Sequence, residues 1–367
     1  MTRIRVRTSF ALGVLAQLSA IACAAPALYD CAYLEDVGDE IGSEPRSINE
    51  HGDISGDVAL EWPLLRAAAI WKIGKAPVVL PLDDRYYAEG HDINDRGQVV
   101  GVGSTHAEGT RAVTWRHGQA INLYKPPGEY VGDRAFALNN HGVIVGVIPM
   151  QSGFGRHAAV WHGDRLFDLG TLGGPKGHAD RISIATDVNE SDTVVGQSQV
   201  FRYKPHKGMH AVRWDSARTI VDLGTLPGGL ISMASKINTA GVVVGYSEFE
   251  GSLTRVHATA WSNGAVRDLG TLPGHDESLA SSINDAGVVV GISNSPGEAT
   301  WRAVAWYGLD QAPTDLNTQV DMASCPDYRG NVYTLQWARA INGSGQIAAS
   351  GRSVSGQLYA GFRLVPR

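Results

Sequence analysis

The sequence predicts an all-β protein: a seven-bladed β-propeller of four-stranded antiparallel blades, with the ring closed by an N-terminal strand in the last blade. Three observations predict it. One pattern recurs seven times along the 367 residues, each copy contains strand-like segments, and the last copy lacks its final segment. Self-similarity at a period of roughly 48 residues is typical of propellers and solenoids, and four short strands per copy favour the propeller.

An asparagine after an apolar residue defines each copy, with glycine three positions later and then an apolar triplet. Successive asparagines are 45, 45, 50, 49, 46 and 58 residues apart. Asn-x-x-Gly suits a type I turn that closes a hairpin, because asparagine bonds to its own backbone and glycine accepts the left-handed exit. The fourth copy has Asp192 in the glycine position, and aspartate tolerates that conformation better than most residues. The seven repeat asparagines are Asn49, Asn94, Asn139, Asn189, Asn238, Asn284 and Asn342.

We expect four strands in each copy. The first leads into the repeat asparagine, and the second runs through a β-branched triplet such as residues 242–244. The third ends in Ala-x-x-Trp, and the fourth runs into Asp-Leu-Gly, as at residues 168–170. Residues that recur once per blade ordinarily serve turns and packing, so the asparagine, glycine and tryptophan series are expected to be structural. The six repeat tryptophans are Trp71, Trp115, Trp161, Trp214, Trp261 and Trp306.

The seventh copy ends early. Its third strand is expected at residues 359–363, with Arg363 in the tryptophan position, and no Asp-Leu-Gly segment follows. Residues 33–38 resemble the missing strand, so the last blade is expected to take three strands from the C-terminus and one from the N-terminus. Such closure leaves no unpaired blade edge.

The first 24 residues have the features of a secretory signal. Arg3, Arg5 and Arg7 precede an apolar stretch at residues 10–22, which is too short to span a bilayer comfortably, and small residues follow. Cleavage before Ala25 predicts a secreted or periplasmic mature chain, residues 25–367, that is a single domain without a transmembrane segment. The alternative is a lipoprotein in which Cys23 becomes the acylated first residue.

Two cysteines remain once Cys23 leaves with the signal. Cys31 precedes the expected closing strand, and Cys325 lies in the extra residues that lengthen the last spacing. Both map near the seventh blade, and an even pair in an exported protein predicts a Cys31–Cys325 disulfide. The alternative is a buried Cys325 thiol and a Cys31 in a mobile leader.

Composition and motifs exclude several classes of function. The formal charge is −6 and no cluster of lysine and arginine stands out, so no nucleic-acid partner is expected. Zinc-protease, serine-nucleophile, phosphate-loop and Cys-x-x-Cys motifs are missing from the sequence. We therefore predict no cofactor, no metal site and no catalytic residue.

The copies resemble the HAF-repeat family of bacterial extracellular proteins. The matching pieces are His157-Ala158, His210-Ala211 and His257-Ala258, together with Asp-Leu-Gly-Thr-Leu at 168–172, 222–226 and 268–272. The resemblance covers about residues 33–364 and is weaker in the first copy, where Ala67 replaces histidine. It implies export and repetition, and it supplies no activity or catalytic residues.

Ligand-binding residues are expected on one face. In a propeller, the connections from fourth to first strand and from second to third strand lie at the same end, here called the loop face. These connections vary between the copies and place aromatic beside polar residues, as binding surfaces on rigid scaffolds do. The candidates are Tyr86, Tyr87, His91, Tyr130, Asp133, Arg134, His178, Asp180, Arg181, His275, Asp276 and Glu277.

The function predicted from these features is an exported binding module for an extracellular or cell-envelope carbohydrate, peptide or protein. The alternative is an extracytoplasmic hydrolase or lyase that acts on polysaccharide, with its site on the same loop face. Binding is favoured because the dispersed loops show no paired-carboxylate or triad spacing.

Overall fold

A computed structural model describes residues 29–37, 42–60, 66–125, 132–150, 155–172, 182–200, 208–250, 255–295, 301–356 and 358–367. Within these ranges the chain forms 28 strands and two short 3₁₀ helices, η1 (Leu316–Thr318) and η2 (Met322–Ser324). No helix in these ranges has the length and apolar character needed to cross a membrane. The predicted all-β fold is confirmed.

The strands follow the order expected from the repeats: one strand precedes the first copy, six copies have four strands each, and the last copy has three. In chain order they are β1 (Tyr29–Tyr33), β2 (Glu44–Ile48), β3 (Ile54–Ala59), β4 (Arg66–Trp71), β5 (Val78–Val79), β6 (Arg85–Ile93), β7 (Val99–Thr105), β8 (Gly109–Arg116), β9 (Gln119–Asn122), β10 (Arg134–Leu138), β11 (Val143–Pro149), β12 (Arg156–His162), β13 (Arg165–Asp168), β14 (Ser183–Val188), β15 (Val194–Gln199), β16 (Met209–Trp214), β17 (Ile220–Gly224), β18 (Ser232–Ile237), β19 (Val243–Glu248), β20 (Val256–Ser262), β21 (Ala265–Asp268), β22 (Glu277–Ile283), β23 (Val289–Asn294), β24 (Arg302–Trp306), β25 (Thr314–Asp315), β26 (Tyr333–Ile341), β27 (Ile347–Ser353) and β28 (Tyr359–Pro366).

Hydrogen bonding groups the described strands into six sheets. Five have four strands, in the orders β1-β28-β27-β26, β10-β11-β12-β13, β14-β15-β16-β17, β18-β19-β20-β21 and β22-β23-β24-β25. The sixth has eight strands, in the order β2-β3-β4-β6-β7-β8-β9 with β5 paired to β4. Its two halves, β2 to β5 and β6 to β9, meet where Arg66 pairs in parallel with Tyr87, whereas the pairs within each half are antiparallel.

The repeat asparagines form a closed ring of hydrogen bonds. Each side-chain amide donates to the main-chain carbonyl of the next repeat asparagine at 3.0–3.2 Å, and Asn342 donates back to Asn49. Each Oδ1 also accepts the backbone N–H four residues later at 2.9–3.0 Å. One side chain thus holds its own turn and the neighbouring copy, and the closed ring surrounded by antiparallel sheets makes the fold a β-propeller.

The turn geometry follows the sequence. Asp192 takes a left-handed conformation with φ 58°, where the first copy has Gly52 with φ 80°. The end of the molecule that carries these turns is called the Asn face, and it lies opposite the loop face.

Packing between sheets depends on the repeat tryptophans, which are at most 3% exposed. Each indole Nε1 donates to a main-chain carbonyl of an earlier residue. That residue comes before the sheet that contains the tryptophan or, for Trp71 and Trp115, before its half of the eight-stranded sheet. Trp214 donates to Leu169 at 3.0 Å, and Trp306 donates to Leu269 at 2.8 Å. A buried indole therefore satisfies its one donor while its ring fills the space between sheets.

The N-terminal strand closes the last sheet, because β1 pairs antiparallel with β28. The predicted position, residues 33–38, is wrong: the strand is Tyr29–Tyr33. Leu34 donates to the carbonyl of Gly361 at 2.9 Å, as Leu169 of an Asp-Leu-Gly segment donates to Ala158 at 2.9 Å. Leu34 is buried and Val37 is only partly buried, so Leu34 occupies the position that leucine has in the Asp-Leu-Gly segments.

The predicted tryptophan position of the last sheet is wrong by one residue. Each repeat tryptophan pairs with the residue five positions after its asparagine, as Trp306 pairs with Val289. In the last sheet that residue is Ile347, and it pairs with Leu364 rather than Arg363. Leu364 is fully buried, whereas Arg363 donates through Nη2 to the carbonyl of Trp71 at 3.0 Å.

The predicted disulfide is confirmed. Cys31 lies in β1, Cys325 follows η2, and their Cα atoms are 5.8 Å apart across 294 residues of chain. Cys325 belongs to the hydrophobic core of the last sheet, which includes Phe362 and Leu364, and the partly buried Cys31 packs against that core. The disulfide therefore ties the N-terminal strand to the core that the C-terminal strands build.

Candidate ligand-binding site

A β-bulge interrupts each innermost strand three residues before its repeat asparagine. At these positions the pairing register slips, so one residue of each innermost strand has no partner. Bulges commonly redirect a side chain near a functional site. We call these the bulge residues: Arg46, His91, Phe136, Thr186, Ser235, Ser281 and Arg339.

The bulge residues surround the propeller channel. A cavity of about 390 Å³, the channel cavity, is lined by all of them except Thr186, and Trp337 joins the lining. Thr186 instead donates through its hydroxyl to the carbonyl of Ala234 at 2.8 Å. The same position in six copies therefore supplies side chains to one space, although the residues there differ in charge and size.

A second cavity of about 500 Å³, the loop-face cavity, lies beside the channel. It is at the loop face because β4 and β28 begin there, at Arg66 and Tyr359. Trp337 and Arg339 line both cavities, so they form the boundary between the two spaces. The full lining is Gly42, Ser43, Glu44, Arg66, Trp301, Gln336, Trp337, Arg339, Ser350, Gly351 and Tyr359. Its volume falls in the range of ordinary small-molecule sites.

Aromatic rings form one wall of the loop-face cavity. The Trp301 and Trp337 rings are nearly parallel, at 3° with centroids 6.0 Å apart, and Tyr359 is 55% exposed. The Trp337 indole donates to Ser281 Oγ at 2.9 Å, which fixes the ring. The guanidinium carbon of Arg339 lies 3.9 Å from the Trp337 centroid, within cation–π distance.

Alternating charges run from β26 through β2, β3 and β4 to β6. We call this set the ion chain: Arg339, Glu44, Arg66, Asp57, Arg46, Glu89 and His91. Arg339 Nη2 is 3.0 Å from Glu44 Oε1, and Glu44 Oε2 is 3.1 Å from Arg66 Nη2. Arg66 also pairs with Asp57, whose side chain is fully buried.

The ion chain continues into the channel. Asp57 accepts from Arg46 Nε at 2.7 Å, and Arg46 Nη2 is 3.2 Å from Glu89 Oε1. Glu89 Oε2 is 2.9 Å from His91 Nε2, and the other His91 nitrogen lies 2.7 Å from the carbonyl of Ala135. Each carboxylate of the ion chain is therefore held by at least two donors, which fixes side chains that would otherwise move in the cavity.

The electrostatic surroundings of Glu89 keep it ionised. Burial alone would raise its pKa, but hydrogen bonding from His91 and the charge of Arg46 outweigh burial and lower the pKa of Glu89 to about 2. Tyr87 donates its hydroxyl to the same carboxylate. Burial, followed by this hydrogen bond, raises the pKa of Tyr87 to about 12, so the phenol stays protonated as a donor.

The Asn-face end of the channel holds a separate charged group. A cavity of about 330 Å³ there is lined by Asp92, Asp187 and Lys236 among others. Lys236 Nζ is 2.9 Å from Asp187 Oδ1 and 3.8 Å from Asp92 Oδ2. The two carboxylates also accept backbone N–H groups, from Ile237 at 2.8 Å and from Leu138 at 3.0 Å. This end thus ties neighbouring copies together.

Three sequence candidates lie in β6. His91 lines the channel cavity, and Tyr87 joins the ion chain through Glu89. Tyr86 instead stacks on His106 with centroids 4.6 Å apart.

The remaining candidates are dispersed. Asp133 is buried and accepts from the Ala112 N–H at 3.0 Å, and Arg134 begins β10. His275 is bonded to Ser293 Oγ at 3.1 Å, Asp276 pairs with Arg255 at 2.8 Å, and Glu277 begins β22. Tyr130, His178, Asp180 and Arg181 lie outside the described residues.

Sequence reasoning missed Glu44, Arg66, Trp301, Trp337 and Arg339. The sequence carried a signal for the two tryptophans only. Six of the nine tryptophans occupy repeat positions, and Trp301 and Trp337 are among the three that do not. Arg339 occupies the bulge position of the last copy, but a position can be recognised as a bulge only once the strand register is known.

The described residues contain no group of three or more His, Cys, Asp or Glu side chains arranged to hold a metal ion. The donors that meet in the loop-face cavity are guanidinium, indole, carboxamide and hydroxyl groups around one carboxylate. Such a set can orient a polar ligand by hydrogen bonds and stack against its apolar faces.

No family model and no curated protein matches this sequence. Among solved structures, a gluconolactonase from Xanthomonas campestris matches with a TM-score of 0.40 and 13% identity, covering 95% of this chain and 93% of that chain. TolB from Acinetobacter baumannii matches with a TM-score of 0.42 and 11% identity, covering 82% and 75%. A mutant of AofleA from Arthrobotrys oligospora matches with a TM-score of 0.38 and 13% identity, covering 74% and 80%. At this level of similarity, these matches carry no argument about function.

Proposed function

We propose that this protein is an extracytoplasmic binding module that holds a saccharide in the loop-face cavity. The observation that carries the proposal is the pairing of an aromatic wall, Trp301 and Trp337, with the fixed polar groups of Glu44, Arg66 and Arg339 in one cavity. A sugar ring offers an apolar face of C–H groups and a rim of hydroxyls. Aromatic surface suits the face, and charged hydrogen-bonding groups suit the rim.

The proposal includes seven blades. The eight-stranded sheet divides into two four-stranded halves that share one parallel pair, Arg66 with Tyr87, and each half carries its own repeat asparagine and tryptophan. Two blades in that sheet and one in each of the other five give seven, one for each asparagine of the ring. The loop-face cavity then lies at the junction of the first and last blades.

Export is also part of the proposal. We take residues 1–24 as the signal, with the lipoprotein form through Cys23 as the alternative, and the Cys31–Cys325 disulfide suits an oxidising compartment. The seven copies are proposed to be HAF-type repeats, on the strength of the His-Ala and Asp-Leu-Gly-Thr-Leu segments in the third, fourth and fifth copies.

We favour binding over polysaccharide cleavage because the carboxylates near the cavity are engaged. Glycoside hydrolysis ordinarily needs one carboxyl group that is free to give a proton and a second that faces the sugar. Glu44 is held by two arginines, and Glu89 is held by Arg46, His91 and Tyr87. Carboxylates held in this way are suited to positioning rather than to proton transfer.

A glycan array with the purified mature chain, followed by calorimetry on the glycans that bind, tests the proposal. Trp337→Ala and Trp301→Ala should each weaken binding at least about tenfold, because each removes aromatic contact area. Tyr124→Ala is the matched control, since Tyr124 is an exposed aromatic, 47% accessible, outside the cavity lining. Binding that survives both tryptophan substitutions would place the site elsewhere.

A further inference from the structure

We propose that the saccharide carries a carboxylate, as in a uronic-acid unit, and that Arg339 and Arg66 bind it; this inference rests on the proposed saccharide site. The loop-face cavity is lined by these two arginines and by one acidic side chain, Glu44. Within the described lining, positive charge therefore exceeds negative charge by one.

The position of Arg339 in the ion chain favours an anion. Arg66 and Arg46 each contact two carboxylates, whereas Arg339, at the cavity end of the chain, contacts one carboxylate among the described residues, that of Glu44. A ligand carboxylate beside Arg339 would give this guanidinium the second anionic partner that the other two arginines already have.

Both cavity arginines keep a nitrogen for the ligand. Arg339 uses Nη2 for Glu44 and Nε for Ser350 Oγ at 3.4 Å, and Arg66 uses Nε for Asp57 and Nη2 for Glu44. The Nη1 group of each has no acceptor among the described residues. Guanidinium is the side-chain group whose planar fork matches a carboxylate.

The accessibility and the electrostatics of these side chains agree with an anion-binding site. The side chains of Arg339, Glu44 and Arg66 are 23%, 30% and 31% exposed, so the site is reachable but largely desolvated. Burial, opposed by Glu44, lowers the pKa of Arg339 to about 10. A bound anion would relieve this cost by stabilising the charged guanidinium.

The neighbouring aromatic rings restrict the class of anion. Trp337 lies under the Arg339 guanidinium, and Trp301 lies parallel to Trp337 in the same lining. A small inorganic anion would leave this aromatic surface unused. A sugar ring that carries a carboxylate on its rim can contact the arginines and the aromatic wall at the same time.

The test is calorimetry with oligosaccharides of glucuronate and of galacturonate, each paired with its methyl ester and with its neutral parent sugar. The methyl ester keeps the ring and the size while removing the charge. A charge-assisted contact predicts that one acid binds about ten- to a hundredfold more tightly than its ester. The preference should weaken as salt concentration rises.

Arg339→Gln should abolish the preference for acid over ester, and Arg339→Lys should retain part of it, because the lysine keeps the charge without the fork. Arg96→Gln, which removes an exposed arginine at a turn of the Asn face, is the matched control. If Arg339→Gln does not fold, Arg339→Lys still tests the inference, because its preference for acid over ester should be smaller than that of the parent protein.

Three outcomes are distinct. Tighter binding of acid than of ester, lost in Arg339→Gln, supports the inference. Equal binding of acid and ester overturns the inference and leaves the saccharide site standing. Failure of acids, esters and neutral sugars alike overturns the saccharide site as well.

Discussion

Asn342 donates a side-chain hydrogen bond of 3.0 Å to the main-chain carbonyl of Asn49, which lies 293 residues earlier in the chain. This bond closes the asparagine ring, because each of the other repeat asparagines makes the same bond to the next copy. The ring joins the copies at the axis, while the Cys31–Cys325 disulfide and strand β1 join the ends at the periphery.

Asn238→Ala should lower the free energy of unfolding by about 2 kcal/mol, because a buried carbonyl loses its donor and a turn N–H loses its acceptor. The affected groups are the carbonyl of Asn284 and the N–H of Val242. Urea unfolding measures the change. Thr239→Ala, at the exposed neighbouring position, is the control and should stay within about 0.5 kcal/mol of the parent. Equal effects of the two substitutions would contradict a stabilising ring.

Reduction of the disulfide should lower the free energy of unfolding by up to about 5 kcal/mol, because the bond restricts the unfolded chain over 294 residues. Chemical unfolding with and without dithiothreitol measures the change. The double variant Cys31→Ser, Cys325→Ser should resemble the reduced protein and should not respond to dithiothreitol. A parent protein that is insensitive to dithiothreitol would show that the bond adds no stability.

Gly146→Ala should destabilise the fold by about 3 kcal/mol or more, because a methyl group there would overlap the carbonyl oxygen of Arg134 across the bulge. Gly163→Ala is the matched control. Its added Cβ meets no atom within 4 Å, so the expected cost is about 1 kcal/mol from the positive φ of 63° alone. Comparable losses at the two positions would rule out the close approach as the reason for glycine at position 146.

Glu89 should make stability depend on pH in the acid range. A carboxyl whose pKa is depressed in the fold stabilises it above the unfolded pKa, about 4.3, and this contribution is lost as pH falls through the folded value of about 2. Glu89→Gln should therefore be less stable at neutral pH and show a shallower decline between these two values. Tyr87→Phe should shift stability in the same direction by less. Parallel stability–pH curves for parent and Glu89→Gln would contradict this assignment.

The all-β fold, the four strands of each copy and the disulfide could be predicted from the sequence because each has a local signal. Asn-x-x-Gly marks the turns, β-branched triplets mark the buried strands, and two cysteines lie near one sheet. The pairing register between strands has no such local signal. The closing strand and the tryptophan position of the last sheet were therefore misplaced, since pairing to Ile347 and burial of Leu34 decide them.

The candidate site was predicted only in part, for a physical reason. His91 and Tyr87 were identified from loop composition, and they meet the other groups of the ion chain through Glu89. The ion chain joins residues nearly 300 positions apart, as Glu44 and Arg339 show. Closure of the ring creates that proximity, and no spacing within a single copy encodes it.

The most direct test of a saccharide site at the junction of the first and last sheets is the binding stoichiometry of the mature chain. Glu44, Trp337 and Arg339 meet at this junction, and no other copy has a tryptophan five residues before its repeat asparagine. Calorimetric titration with a glycan that binds should therefore give one site per chain, and Trp337→Ala should remove it. Several equivalent sites per chain, or a single site unaffected by Trp337→Ala, would contradict the proposal.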